Sequence, residues 1–245
     1  MSPSSIVVVL ATYDERDNVR RLIPVLLGLD PGLRVLVVDD ASPDGTGPAV
    51  EELAKQFPER VELLGRAGKL GYGSAFVVGI RRALERAPDV VVSMDADWSH
   101  DPHALPTLLN GLDGADVVVG SRYIGGMRIL NWSLGRLLLS RLANAYVNLL
   151  LPGSVRDRTS GYRAYRSEVL RDLPLGEISS NGYAFLVEIL EYVIAAGRTV
   201  REVPIVYEDR QLGESKLDRR VLIESVWRPW ALAMRRLRRR FSNRH

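Results

Sequence analysis

The chain has 245 residues, no cysteine, 46% hydrophobic residues and a formal net charge of only +3. That length buries a full core as one large domain or one domain with an appendage. The absence of cysteine excludes disulfides and thiolate metal sites, which fits a reducing compartment. The N-terminus shows no basic segment followed by a long apolar stretch, so no secretory signal is expected. No apolar run approaches the ~18 residues of a spanning helix.

Ile6–Ala11 is an apolar, β-branched run and predicts a buried strand. The polar stretch Thr12–Asn18 leads into an amphipathic helix through about Leu29, and Pro31-Gly32 turns the chain. Arg34–Val38 predicts a second strand ending at Asp39-Asp40, followed by a loop over Ser42–Gly47, where Asp44-Gly45 is a turn signal, and a helix to about Phe57. Val61–Leu64 predicts a third strand, and Gly71-Tyr72-Gly73 opens a helix to about Arg86. A further strand, Val90 onward, is followed by a helix ending before Gly114 and a strand at Asp116–Gly120. Strands alternating with helices predict an α/β fold with a mostly parallel central sheet and right-handed crossovers.

The chemistry concentrates in Val90–Pro102, VVVSMDADWSHDP. Strand side chains alternate with period two, so Asp95 and Asp97 project to the same side, about 6–7 Å apart along the chain. Such a pair can share one hard cation, and Mg²⁺ in particular completes its shell with waters and substrate phosphates. Asp101-Pro102 has the pattern of an N-cap followed by Pro at the first helical position. The acids therefore fall at the carboxyl end of a strand, where open α/β sheets bind ligands. His100 and His103 beside them are expected at the surface or in capping roles.

Two other nucleotide-binding classes are disfavoured. The first strand runs into ATYDERDN with no G-x-G-x-x-G, and GRAGKL at 65–70 has Leu70 where a phosphate-binding P-loop needs Ser or Thr. Gly71 and Gly73 remain either a plain helix entry or a source of N–H groups for phosphate.

The ordered set ATYDERDN, VVDDASPDGT, KLGYGSA, MDADWSHDP, GSRYIGG, NWSLGRLLLSR, RDRTSGYRAY, SNGYAF and EVPIVYEDRQLGESKL resembles the inverting GT-A-fold glycosyltransferases of family 2. Within that family it is most similar to the dolichol/polyprenol-phosphate mannose synthases, over about residues 6–220. The resemblance implies a Rossmann-like GT-A domain over 1–217, including an amphipathic interface helix at about 133–151; the residue pattern of 218–245 predicts a basic C-terminal helix.

Carried over residue by residue, the resemblance assigns nucleotide contacts to Ala11, Tyr13 and Glu15, with Ala11 standing where the family usually has Pro. It assigns base and ribose contacts to Val38 and Asp40, a sensible place for an acid, since a carboxylate accepts hydrogen bonds from ribose hydroxyls or a guanine edge. Asp95, Ala96 and Asp97 match the motif that holds Mg²⁺ or Mn²⁺ and the donor diphosphate. Ser99 stands where many relatives have Gln and would reach a metal only through water. Arg210 and Lys216, in DRQLGESK, match basic residues that close over the diphosphate, with Gly213 and Ser215 giving that loop freedom. Arg122, Arg136 and Ser140 match positions that hold the acceptor's lipid phosphate, a task suited to the planar arginine fork.

Two stretches point to a membrane. In Ser133–Leu151, polar residues fall at 133, 136, 140, 141, 144 and 148, one stripe on an otherwise apolar helix. Such a helix either lies in a membrane interface or packs into a core. From Trp227 to His245 there are seven arginines and no acid, within a helical pattern interrupted by Pro229, where a kink is expected.

The expectation is metal-dependent transfer of mannose from GDP-mannose to polyprenyl phosphate, at the cytoplasmic face of a membrane, on an anionic lipid surface or through an anchoring partner. Asp95, Asp97, Arg122 and Arg210 would carry the catalysis. The nearest rival is UDP-glucose as donor to the same lipid. A nucleic-acid-binding module built on the arginine tail is the rival from another class, and it lacks interleaved stacking aromatics.

Overall fold

The computed structural model describes residues 5–126, 129–180, 182–208 and 219–242. The first half alternates as expected: β1 (Ile6–Thr12), α1 (Arg16–Leu29), β2 (Leu33–Asp39), α2 (Thr46–Gln56), β3 (Val61–Gly65), α3 (Tyr72–Glu85) and β4 (Val90–Asp95). A single 3-10 turn, Pro102–Ala104, leads into α4 (Leu105–Gly111), and β5 is Val117–Ser121. Asp101 caps that turn by accepting from the His103 amide at 2.9 Å, as its spacing before Pro102 predicts.

The second half is less regular. A two-residue strand, β6 (Ile129–Leu130), precedes α5 (Leu134–Leu150). Then come β7 (Arg163–Arg166), α6 (Ser167–Asp172), α7 (Gly182–Ala195), β8 (Val200–Pro204), β9 (Tyr207–Glu208) and α8 (Arg219–Ser242). α8 is one helical element that carries Pro229 within it.

Seven strands form one sheet in the order β3-β2-β1-β4-β7-β5-β8. All pair in parallel except β7, which runs antiparallel to both β4 and β5. Along β1, Ile6, Val8 and Leu10 point into one core layer and Val7 and Val9 into the other. That alternation is the period-two pleat of a strand buried on both faces. α1, α2 and α4 cover the first face through residues such as Leu22, Leu26, Val50 and Leu108. α3, α6 and α7 cover the second through Phe76, Ile80, Leu170 and Ile189. Helices on both sides of a mostly parallel sheet make the α/β architecture that the alternation predicts.

α7 is apolar nearly all round and is buried along Ala184–Val193. Its outer side receives α8, with Leu232 packed into a cluster containing Val187, Val147 and Leu151. β6 and β9 pair with each other in a separate two-stranded ribbon.

Candidate active site

The strand order changes direction at β1, which has β2 on one side and β4 on the other. Crevices at such points, outside the carboxyl ends of the strands, are where doubly wound sheets take ligands. Register places Ala11 opposite Val38 on one neighbour and opposite Asp95 on the other. Three residues expected at the donor, far apart in sequence, thus form one row across the sheet. Tyr13 follows at the mouth, with the Lys69 amine 4.1 Å from its ring centroid. Glu15 accepts from Asn18 Nδ2 at 2.6 Å, and its amide donates to Thr46.

Asp39 and Asp40 end β2 and are both buried. Asp39 accepts from Thr12, Ser42 N and Ser42 Oγ, which ties the first two strand ends together. Asp40 pairs with Arg66 at 2.7 Å and accepts from the amides of Leu70 and Gly71, both at 3.0 Å. Gly71 has a φ of +101°, a conformation that only glycine adopts without strain, as the chain turns into α3. The carboxylate expected to meet ribose therefore also shapes the 66–71 loop, and Arg66 is a site residue that the sequence motifs did not single out.

The acidic turn is held from several sides. Tyr72, the first residue of α3, donates its hydroxyl to Asp95 Oδ1 at 2.9 Å. Burial and the charge of Asp95 push that phenol well above its ordinary pKa, so it stays protonated and donates. Ser99 donates to Asp97 Oδ1 through both its amide, 3.1 Å, and its hydroxyl, 2.6 Å. Ser99, expected to reach a metal through water, is therefore a hydrogen-bond partner of the metal-motif carboxylate itself.

His100 corrects an expectation. It is 1% exposed, not a surface residue, and Asp101 rather than His100 caps the following turn. Its Nδ1 accepts from the Asp95 amide at 3.1 Å, and its ring stacks on Tyr162 and meets Tyr207 edge-on. Burial pushes its pKa below the usual imidazole value. An imidazole held between two aromatic rings with one nitrogen committed to a backbone N–H belongs inside.

The donor set of Asp95 and Asp97 suits a hard divalent cation. Among the described residues no group of three or more His, Cys, Asp and Glu side chains gathers to hold one. A metal here would complete its shell from phosphate oxygens and water, as magnesium sites ordinarily do.

On the far side of β4, Arg122 is buried and bonded to Asp157 and Thr159. Its guanidinium also lies 5.4 Å from the ring centroids of Tyr123 and Tyr207. Tyr123 bonds Ser140 of α5 at 2.8 Å, and Asn144 of the same helix donates to Thr159 at 2.9 Å. Arg136 lies over the Trp132 ring at 4.4 Å, and Trp132 in turn meets Tyr207. The three expected acceptor residues thus gather around one corner, where α5 meets the loop before β7. Tyr207, within EVPIVYEDR, sits at its centre. Burial, reinforced by Asp95 and Asp97, raises the Tyr207 phenol pKa. Asp157, Thr159 and Tyr207 lay within recognised motifs, yet nothing in their spacing announced these partners. Arg210 and Lys216 lie outside the described residues.

α5 turns the greater part of its polar stripe inward, while Ser133 and Arg141 stay exposed. Asn144 is buried, and Asn148 bonds Arg158 and the carbonyl of Arg156. Leu134, Leu138, Leu139, Leu142 and Leu149 face outward, each at least 60% exposed. α8 touches α5 where Tyr146 donates to the Val226 carbonyl, and it too exposes Val226, Trp227, Trp230 and Met234. Of the two readings of α5, a core helix is the one this burial excludes. No helix among the described residues is long and apolar enough to cross a membrane.

Residues 7–174 match the model of glycosyl transferase family 2. The chain is 42% identical over 222 residues to the polyprenol monophosphomannose synthase of Mycolicibacterium smegmatis, covering 90% of this chain and 84% of that one. It is 40% identical over 232 residues to the undecaprenyl-phosphate mannosyltransferase of Micrococcus luteus, covering 94% and 95% respectively. In three dimensions it resembles glucosyl-3-phosphoglycerate synthase from Mycobacterium tuberculosis, crystallised with Mn²⁺, uridine diphosphate and phosphoglyceric acid. The TM-score is 0.69 at 20% identity, over 94% of this chain and 78% of that one, a likeness of fold. The chain belongs to glycosyl transferase family 2. It is a glycosyltransferase of GT-A fold.

Proposed function

We propose that the protein transfers mannose from GDP-mannose to a polyprenyl phosphate with inversion at the anomeric carbon, giving polyprenyl-phosphate mannose and GDP. The observation that carries this reading is a juxtaposition. The acidic pair at the end of β4 lies beside the Ala11–Val38 row on one side and the Arg122 corner on the other. That corner adjoins a helix that turns its leucines to solvent. A nucleotide sugar and a lipid-borne anion can meet there.

The acceptor phosphate is anionic at neutral pH, so no side chain has to remove a proton before attack. A phosphate oxygen forms the new bond to the anomeric carbon, and the old bond breaks with its electron pair leaving on GDP. The protein's work is alignment and stabilisation of the leaving charge. Asp95 and Asp97 would hold Mg²⁺ or Mn²⁺, which supplies positive charge to the departing diphosphate. Arg210 and Lys216 would add to it. Arg122 and Arg136 would orient the acceptor phosphate from the opposite side, with Ser140 close by. The outward leucines of α5 and the apolar side chains of α8 would enter the lipid interface, with arginines at the anionic headgroups, at the cytoplasmic face.

The test is transfer of labelled sugar into organic-extractable lipid, with GDP-mannose and UDP-glucose in parallel, polyprenyl phosphate and Mg²⁺. Label from GDP-mannose that vanishes with EDTA is expected. Label from UDP-glucose alone overturns the donor. Asp97→Ala is expected to lower turnover by at least about a hundredfold with an unchanged melting curve, and a near-normal rate in that variant removes its proposed role.

A further inference from the structure

The buried groups around the acidic turn are not all accounted for by substrate contacts. Tyr72 opens α3 and has its ring wedged edge-on against Phe76 of the same helix, centroids 4.7 Å apart, and against Phe185 of α7 at 6.3 Å. Its hydroxyl lies beside Asp95, to which it donates at 2.9 Å.

Gly161 adjoins the same hydroxyl. A Cβ on Gly161 would stand 2.7 Å from the Tyr72 hydroxyl and 3.4 Å from Asp95 Oδ1. A side chain at 161 would therefore force the phenol away from the carboxylate. Gly161 is itself fixed, since its carbonyl accepts from the buried Ser93 hydroxyl at 2.7 Å. The backbone of Asp95 is held in addition, through its amide to His100. One carboxylate oxygen is thus pinned from α3 while the residue's backbone is pinned from the turn.

We infer that Tyr72 is a positioning residue for the metal-motif carboxylate of Asp95, and that Gly161 is glycine because only the bare backbone leaves the phenol room to reach it. Hydrogen-bond partners behind a ligating group fix its orientation, and losing one ordinarily weakens metal binding or activity. The aromatic packing supplies the rigidity. The role of the phenol is carried by the carboxylate to which it donates. Because α3 also begins where Asp40 binds the Leu70 and Gly71 amides, the nucleotide side and the metal side of the crevice are set by the same helix start.

This inference rests on the divalent-metal reading above, and its test separates the two. Mn²⁺ binding to the full chain with equimolar GDP is measured from the free-ion electron paramagnetic resonance signal, against the same GDP without protein. Wild type, Asp97→Ala, Tyr72→Phe and Gly161→Ala are compared, with melting curves for each. Tyr72→Phe keeps the ring and is expected to weaken Mn²⁺ binding ~10-fold at nearly unchanged melting temperature. In transfer assays its metal activation curve moves to higher concentration and the maximal rate recovers at saturating metal, a pattern that loss of packing would not give. Gly161→Ala is expected to weaken Mn²⁺ binding in the same direction. Wild-type affinity and an unshifted activation midpoint in Tyr72→Phe, alongside loss of binding in Asp97→Ala, overturn the role of Tyr72 alone. No Mn²⁺ uptake by the wild type beyond that of GDP alone overturns the metal reading and the inference with it.

Discussion

Arg122 and Asp157 are joined three times: the Arg122 amide at 3.0 Å and Nε at 2.7 Å both reach Oδ2, and Nη2 reaches Oδ1 at 2.7 Å. Both side chains are buried. Burial by itself would raise the Asp157 pKa, but the charge and hydrogen bonds of Arg122 outweigh it and hold the carboxyl below its usual range. Removing one partner of a buried pair leaves the other charge uncompensated, at a cost of about 3–5 kcal/mol. Asp157→Ala is expected to lose stability on that scale in a denaturant titration. A loss under about 1 kcal/mol would show that the pair does not hold this corner together.

Acid should loosen the fold in a definite direction. Asp116 accepts from the amide and hydroxyl of Thr199, which lowers its pKa. Asp44 and Asp157 are lowered as well, Asp44 by its hydrogen bonds to Thr46 and Arg16 and Asp157 by the charge and hydrogen bonds of Arg122, which outweigh the burial that would raise them. A carboxyl depressed in the folded state contributes stability that is present above its unfolded pKa of about 3.9. That stability is lost as pH falls through the folded value, because the unfolded chain binds more protons there. Melting temperature is expected to be level from neutrality down to roughly pH 5 on account of these groups and to fall below about pH 4. Asp116→Asn should flatten part of that fall, and an unchanged acid limb in the variant would contradict the assignment.

The exposed leucines of α5 give a prediction that separates folding from membrane binding. Leu138 and Leu142 are 60% and 63% exposed, so replacing both by Gln should move stability by no more than about 0.5 kcal/mol per site. Inserted into a lipid interface, each would contribute on the order of 1.5 kcal/mol or more. Co-sedimentation of the double variant with anionic vesicles is expected to drop at least tenfold in partition coefficient. Equal partitioning of variant and wild type would rule out insertion through this face.

The basic end of α8 has to be cut in the right place. Arg228 pairs with buried Glu188 at 2.5 Å, Arg236 lies 3.7 Å from Glu191, and Arg235 donates to Tyr192. Deleting from residue 235 would strip Glu191 and Tyr192 of α7 of their arginine partners in α8 and confuse stability with binding. Deleting 238–245 removes four arginines and leaves those pairs. It should weaken binding to anionic vesicles by up to ~1 kcal/mol per arginine at low salt, an effect that fades as salt rises. Loss of nucleic-acid retention rather than vesicle binding in this deletion would revive the alternative of a nucleic-acid-binding module.

What the sequence revealed follows from what is local. The apolar runs of β1, β2 and β4 and the Asp101-Pro102 cap are short-range signals, and each element lies within a residue or so of expectation. β7 was not legible because Arg163, fully buried at its start, bonds the carbonyls of Arg158, Ser160 and Leu186, and a four-residue strand that begins and ends on an arginine carries no apolar run. His100 is buried only because Tyr162 and Tyr207 arrive from distant segments. For α5 the periodicity defined the stripe but not which side met the protein. That was decided by Asn144 and Asn148 finding partners in the 156–159 loop. The row of Ala11, Val38 and Asp95 needed only the strand order to become a site.

The β6–β9 ribbon has a consequence for anyone recombining relatives of this enzyme. Ile129 pairs with Tyr207 and Leu130 with Glu208, Asn131 donates to Glu208, and the Glu208 amide donates to the Ser99 carbonyl. The lead-in to α5 is therefore stitched to the strand that precedes the segment carrying Arg210, and that strand is stitched to the acidic turn. α5 is not an interchangeable cassette. A chimera that imports another enzyme's counterpart of α5 has to import residues 207 and 208 as well, or it will shift the acidic turn of its host.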